Sequence, residues 1–204
     1  MRISKKKFIY LISPNRVYPQ FYQDLKKILR TGKVSLFQLR LKKYSFKQKI
    51  LIGKKINQIC KKNGVKFLVN DDPILSKKLN ADGCHLGQKD MSLIEARKTI
   101  GNKIIGITCH NSIKLAKTAI KEKASYIAFG AFFPTTTKKV KFKATTKILN
   151  KVKKLTKTPI VAIGGINFNN YKKLLLNNAN LLAISSYVWN NKKYKPIESI
   201  KRLI

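Results

Sequence analysis

Asp71 and Asp90 are the residues most suited to holding a metal in this chain. It carries 45 lysines and arginines against only 8 aspartates and glutamates. Yet Asp71 closes the run Lys66-Phe67-Leu68-Val69-Asn70-Asp71, and Asp90 follows Gly83-Cys84-His85-Leu86-Gly87-Gln88. Both runs read as strands, so two scarce acids stand at neighbouring strand ends. Carboxylates placed this way amid basic side chains suit a Mg²⁺ ion that bridges protein to pyrophosphate, because the hard cation takes oxygen ligands and the phosphates take cations. The expected chemistry is enzymatic, on a phosphorylated small molecule. Basic partners stand in Gln38-Leu39-Arg40-Leu41-Lys42. A period of two puts Gln38, Arg40 and Lys42 on one face and Leu39 and Leu41 on the other. Three polar side chains turned inward need an anionic ligand or water to satisfy them.

Short runs rich in Ile, Val and Phe must carry these groups. Strands are expected at Phe8–Ser13, Leu36–Arg40, Lys66–Asn70, Gly83–Gly87, Ile104–Thr108, Tyr126–Gly130, Pro159–Gly164 and Leu181–Ser185. Lysine-studded amphipathic stretches separate them, such as Ile113-Leu115-Ala116-Ala119-Ile120 after Asn111-Ser112, either of which could cap a helix. Strict alternation implies parallel strands with right-handed crossovers, and eight such units imply an α/β fold, a (β/α)8 TIM barrel. The 204 residues then form one catalytic domain with few insertions. A doubly wound open sheet is the structural alternative, but no GxGxxG follows Ser13.

Barrel chemistry sits at the carboxyl ends of the strands. Those ends read Asn70-Asp71, Gly87-Gln88-Lys89-Asp90, Thr108, Pro134-Thr135-Thr136-Thr137-Lys138, Gly164-Gly165 and Ser185-Ser186. The last two, in units seven and eight, stand where barrels often bind phosphate through approaching backbone N–H groups. Lys139–Lys147 is basic and poorly patterned, and reads as a loop.

The formal charge of +37 is spread over nearly every expected helix. Nucleic-acid binding would concentrate it in a stripe with aromatics interleaved, so no specific nucleic acid is expected. Cys60, Cys84 and Cys109 lack CxxC spacing, which argues for a reduced compartment. Cys84-His85 and Cys109-His110 do not make a zinc site, because adjacent strand residues point to opposite faces. His85 reads instead as an interior hydrogen-bonding residue. The apolar stretch Phe8–Ile12 is too short for a signal segment, and no run approaches the roughly 18 apolar residues of a membrane span. A cytoplasmic protein is expected, with no membrane partner. Homo-oligomerisation is left open.

Taken together, Gln-Leu-Arg-Leu-Lys, Asn-Asp, His-Leu-Gly-Gln-x-Asp, Pro-Thr-x-Thr-Lys and Ala-Ile-Gly-Gly-Ile closely resemble the thiamine-phosphate synthase family, in its order and spacing from about Tyr10 to Trp189. The resemblance implies a TIM barrel that joins 4-amino-2-methyl-5-hydroxymethylpyrimidine diphosphate to 4-methyl-5-(2-phosphoethyl)thiazole, with Mg²⁺, releasing pyrophosphate. It implies that Gln38, Arg40, Lys42, Asn70, Thr108 and Lys138 hold the pyrimidine diphosphate, with Arg40, Lys42, Thr108 and Lys138 acting in catalysis. Asp71 and Asp90 would ligate Mg²⁺. Thr135, Thr136, Thr137, Gly165, Ile184 and Ser185 would form the thiazole-phosphate pocket. Two departures stand out: Asp72 replaces a usual arginine and could cap the next helix, and Lys141-Phe142-Lys143-Ala144-Thr145 replaces a usual Gly-Leu.

The related thiazole tautomerases are the nearest rival. The resemblance implies for them an acid/base histidine after the glycine ending the sixth strand, where this chain has Ala131. They would also have no use for the Gln38-Arg40-Lys42, Asp71 and Asp90 set. A barrel that has lost catalysis and binds phosphorylated ligands or RNA is the other alternative.

Overall fold

The computed structural model describes residues 7–135 and 142–203. Short β-branched and aromatic runs form eight strands: β1 (Ile9–Ile12), β2 (Val34–Leu39), β3 (Lys66–Asn70), β4 (Gly83–Leu86), β5 (Ile104–His110), β6 (Tyr126–Phe129), β7 (Ile160–Ile163) and β8 (Leu181–Ile184). Helices follow each in turn: α1 (Phe21–Leu29), α2 (Phe46–Lys62), α3 (Pro73–Lys78), α4 (Leu93–Ile100), α5 (Ile113–Lys121), α6 (Thr146–Lys153), α7 (Tyr171–Leu176) and α8 (Ser186–Trp189), with α9 (Pro196–Lys201) last. All strands pair in parallel, and β8 returns to β1 to close the barrel. The TIM-barrel expectation holds and the open sheet is excluded.

All eight expected strands are found, with no end moved by more than two residues. β5 runs on to His110, where its pairing with β6 slips register after Thr108. α6 begins at Thr146, inside the stretch expected to be a loop, and residues 136–141 lie outside the described residues.

Strand alternation divides the apolar residues into two cores. Tyr10, Leu36, Leu68, Tyr126, Val161 and Leu181 fill the barrel interior. Ile9, Leu11, Phe37, Leu39, Phe67 and Val69 point the other way and pack under the helices. Each such fully buried side chain contributes about 1.5–3 kcal/mol relative to exposure.

Local chemistry sets where the helices begin. Ser45 and Ser92 form capping boxes with Gln48 and Glu95. Ser112, rather than Asn111, caps α5, accepting from the Leu115 N–H at 3.2 Å. Asp72 caps α3, accepting from the Leu75 N–H at 2.8 Å, with Pro73 in the first turn. Trp189 Nε1 donates to the Ile12 carbonyl at 2.6 Å and so ties α8 across the β8–β1 seam. Among the described residues no helix is long and apolar enough to cross a membrane.

Candidate active site

The carboxyl ends of β2 to β5 bring the acids and bases together. Asp71 leaves β3 in a left-handed conformation, φ 64°, which aspartate tolerates better than most residues. Its N–H donates to the His85 carbonyl at 2.8 Å, and its Oδ2 lies 3.3 Å from Lys42 Nζ. Asp90 sits on the turn after β4, where its Oδ2 accepts from the Gly87 N–H at 2.7 Å. The two aspartates interact directly. Burial raises the Asp90 pKa first, and the neighbouring Asp71 raises it further, while the Gly87 N–H and the Lys42 ammonium pull it down. A carboxylate crowded by another is eased by a cation between them.

These groups fit Mg²⁺. The ion is usually held by one or two carboxylates, with phosphate oxygens and water completing the octahedron. Among the described residues, no third acidic, histidine or cysteine side chain groups with the pair. The donors are hard oxygens, as that ion requires.

Arg40 stands just past β2. Its N–H donates to Ser13 Oγ at 2.9 Å, and Nη1 donates to Asn15 Oδ1 at 3.3 Å. Burial lowers its pKa, and the charge of Asp71 opposes that shift. Gln38, Arg40 and Lys42 stand at three depths at the carboxyl end of β2. Gln38 is 2% exposed and lies inside the barrel, donating through Nε2 to Tyr10 Oη at 2.6 Å. Lys42 lies beyond the strand, its side chain 56% exposed and paired with Asp71. The alternation carries on past the end of β2: Leu39 and Leu41 both pack in the outer core, while Arg40 and Lys42 do not.

Asn70 ends β3 half-buried, beside Asp71. Thr108, half-buried on β5, places Oγ1 2.8 Å from His85 Nε2, and its carbonyl accepts from Gln88 Nε2 at 2.6 Å. A cavity of about 400 Å³ opens beside Asp71 on its outer side, lined in part by Lys42, Lys49, Asn70, Asp72 and Met91.

Residues assigned to the thiazole phosphate lie at the ends of β6 to β8. Gly165 has φ 63°, and a Cβ there would fall 2.2 Å from the Pro134 carbonyl oxygen. Only glycine lets Pro134, next to the half-buried Thr135, lie so close. Ser185 Oγ donates to the Ser13 carbonyl at 3.2 Å. The Ile184 side chain packs in the outer core. Thr136, Thr137 and Lys138 lie outside the described residues.

His85 behaves as an interior hydrogen-bonding residue, with Nδ1 2.9 Å from Tyr126 Oη. The two tyrosines it leads to, Tyr10 and Tyr126, do not stand out in the sequence. They read there as strand-forming aromatics, and only inward alternation on β1 and β6 could have marked them. Burial pushes the Cys84 and Cys109 thiols up to about 12.

This geometry can be set beside known proteins. The family model described as thiamine monophosphate synthase matches residues 9–188. The chain belongs to that family. A thiamine-phosphate synthase from Pelagibacter ubique (strain HTCC1062) is 64% identical over 199 residues, covering 97% of this chain and 96% of that protein. Another, from Rhodospirillum centenum (strain ATCC 51521 / SW), is 39% identical and covers 90% of this chain and 89% of its own length. Among solved structures, the thiamine phosphate pyrophosphorylase from Pyrococcus furiosus superimposes with a TM-score of 0.85 at 28% identity, covering 98% of this chain and 94% of that one. The family match thus spans all eight strands and the helices between them, and reaches into α8.

Proposed function

We infer that the chain is a transferase that synthesises thiamine phosphate. It would join the pyrimidine diphosphate to the thiazole phosphate and release pyrophosphate. Family membership over residues 9–188 carries this reading. The convergence of Asp71, Asp90, Lys42 and Arg40 at one rim supports it, because that set matches a departing diphosphate. Ala131 follows Gly130 after β6, where the rival tautomerase would need a histidine.

Asp71 and Asp90 would hold Mg²⁺, which when bound neutralises charge on the leaving group. Arg40 and Lys42 bind and orient the diphosphate from the β2 side, with Lys138 assigned the same task. Gln38, Asn70 and Thr108 hold the pyrimidine diphosphate in register. Gly165, Ser185 and the Thr135-Thr136-Thr137 segment seat the thiazole phosphate. The reaction proceeds by loss of the C–O bond first, leaving a resonance-stabilised pyrimidinylmethyl cation that the thiazole nitrogen captures. Such a route needs no side-chain nucleophile or general base. Catalysis then reduces to stabilising the departing charge and holding two rings in line.

The direct test is incubation of purified protein with both substrates, with and without added Mg²⁺. Thiamine phosphate, read by its fluorescence after oxidation, should accumulate in proportion to enzyme and only with the metal. No product under saturating substrates and Mg²⁺ would reject the reading.

A further inference from the structure

A continuous line of polar groups crosses the otherwise apolar barrel interior. Gln38 Nε2 lies 2.6 Å from Tyr10 Oη, and Tyr10 Oη lies 2.8 Å from Tyr126 Oη. Tyr126 Oη lies 2.9 Å from His85 Nδ1, and His85 Nε2 lies 2.8 Å from Thr108 Oγ1. Tyr10 and Tyr126 are each 1% exposed or less, so their two phenol protons must find acceptors within the line.

Donor arithmetic then orders the bonds. The Gln38 amide nitrogen can only donate, so Tyr10 accepts from it. Tyr10 has one proton of its own, and its remaining neighbour is Tyr126, to which it donates. Tyr126, having accepted, passes its own proton to His85 Nδ1. An imidazole that accepts at Nδ1 is neutral and carries its hydrogen on Nε2, so His85 donates to Thr108 Oγ1. The single Thr108 proton is thereby turned away from the interior.

We propose that Gln38, Tyr10, Tyr126 and His85 form a one-way hydrogen-bond chain that holds His85 as its Nε2–H tautomer and makes Thr108 a hydrogen-bond donor to the pyrimidine diphosphate. Tyr10, Tyr126 and His85 are positioning residues; Thr108 is the member at the outer end of the line that would touch the ligand. The ligand half rests on the functional reading above. A hydroxyl fixed as donor selects an acceptor, a diphosphate oxygen or a pyrimidine ring nitrogen, and disfavours the exocyclic amine. Gly106 belongs to the same device, since a Cβ there would fall 1.9 Å from Tyr126 Cζ and push the ring away from His85. Reversing the Gln38 amide would reverse every bond, put the histidine proton on Nδ1 and turn Thr108 into an acceptor, so the two polarities can be told apart by experiment.

The first measurement is ¹⁵N–¹H correlation of the histidine rings in the ligand-free protein, assigned with His110→Gln because the chain has only 2 histidines. His85 should show one pyrrole-type nitrogen at Nε2 and one pyridine-type nitrogen at Nδ1. The Nδ1–H tautomer, or an even mixture, overturns the chain whatever reaction the protein catalyses. The second measurement is kinetic. Tyr126→Phe should raise KM for the pyrimidine diphosphate about tenfold, the order of one hydrogen bond to a charged group, and leave KM for the thiazole phosphate unchanged. Thr108→Val should do the same, while Thr108→Ser, which keeps the donor, should raise that KM far less than Thr108→Val. The double variant should be no worse than Thr108→Val, because Tyr126 acts through Thr108. Additive losses, or wild-type KM in Thr108→Val, overturn the ligand half while the tautomer result stands separately. Should Tyr126→Phe fail to fold, the wild-type ring spectrum and the valine–serine pair at Thr108 still decide.

Discussion

Asp90 holds its negative charge against burial and against Asp71, so it is most easily kept ionised by a cation. Two consequences can be measured. Asp71→Ala or Asp90→Ala should lower kcat/KM by about 10²-fold or more, the scale of losing a main electrostatic stabiliser. Near-wild-type rates in limiting Mg²⁺ would remove both from the metal. Because the Asp90 pKa is raised, protonation competes with the metal at a higher pH than for an ordinary aspartate. Mg²⁺ affinity should therefore fall as pH drops through that raised value, and titration calorimetry at several pH values would show it. Arg40 is the second residue with a distinct signature. It is held by Ser13 and Asn15 on the β2 side, near Asp71. Arg40→Ala should weaken pyrimidine-diphosphate binding by at least about tenfold and thiazole-phosphate binding far less. Calorimetry giving the opposite order would reassign it.

Each element in this barrel presents its chemistry through how it ends. β3 and α3 show this most directly. The strand stops at Asn70, Asp71 turns left-handed, and Asp72 starts a helix at once. The acid that departs from the family pattern at Asp72 is thus spent on a helix cap, its Oδ1 accepting from the Leu75 N–H. Asp72→Ala should cost about 1 kcal/mol in chemical denaturation, as cap losses generally do. Asp72→Asn, which can still accept that bond, should cost only a few tenths. Equal losses in the two variants would mean that the charge, not the cap, is what matters there. The β6–β7 pair works through closeness instead. Gly165 admits the Pro134 carbonyl where any side chain would collide, so this rim is shaped by backbone approach.

For the molecule as a whole, charge and fold act on different properties. A net +37 distributed over the helices repels itself, and the two ion pairs found among the described residues, Lys42–Asp71 and Lys66–Asp82, do little to offset it. The stabilising side is the pair of apolar cores inside and outside the strand ring. Raising ionic strength from about 0.01 M to about 1 M shortens the Debye length from about 30 Å to about 3 Å. The melting temperature should rise across that range, because the repulsion is screened while the cores are untouched. A fall in Tm with sodium chloride would show that favourable surface ion pairs outweigh the repulsion.

The order of strands and helices was legible because alternation and period are local properties of the chain. Eight apolar runs separated by amphipathic stretches admit few parallel topologies. The acids at strand ends, the Asp72 cap and the interior role of His85 could also be read this way, since each depends on neighbours in sequence. The depth of Gln38 and the partners of Tyr10, Tyr126 and Thr108 could not. Tyr10 and Tyr126 are separated by 116 positions and meet only when the ring of strands closes. Residue types and spacing determined what kind of barrel this is and which groups stand at its rim. Closure alone decided which of them touch, because contacts across the barrel depend on strand stagger and on where each strand stops, and neither is written in any single segment.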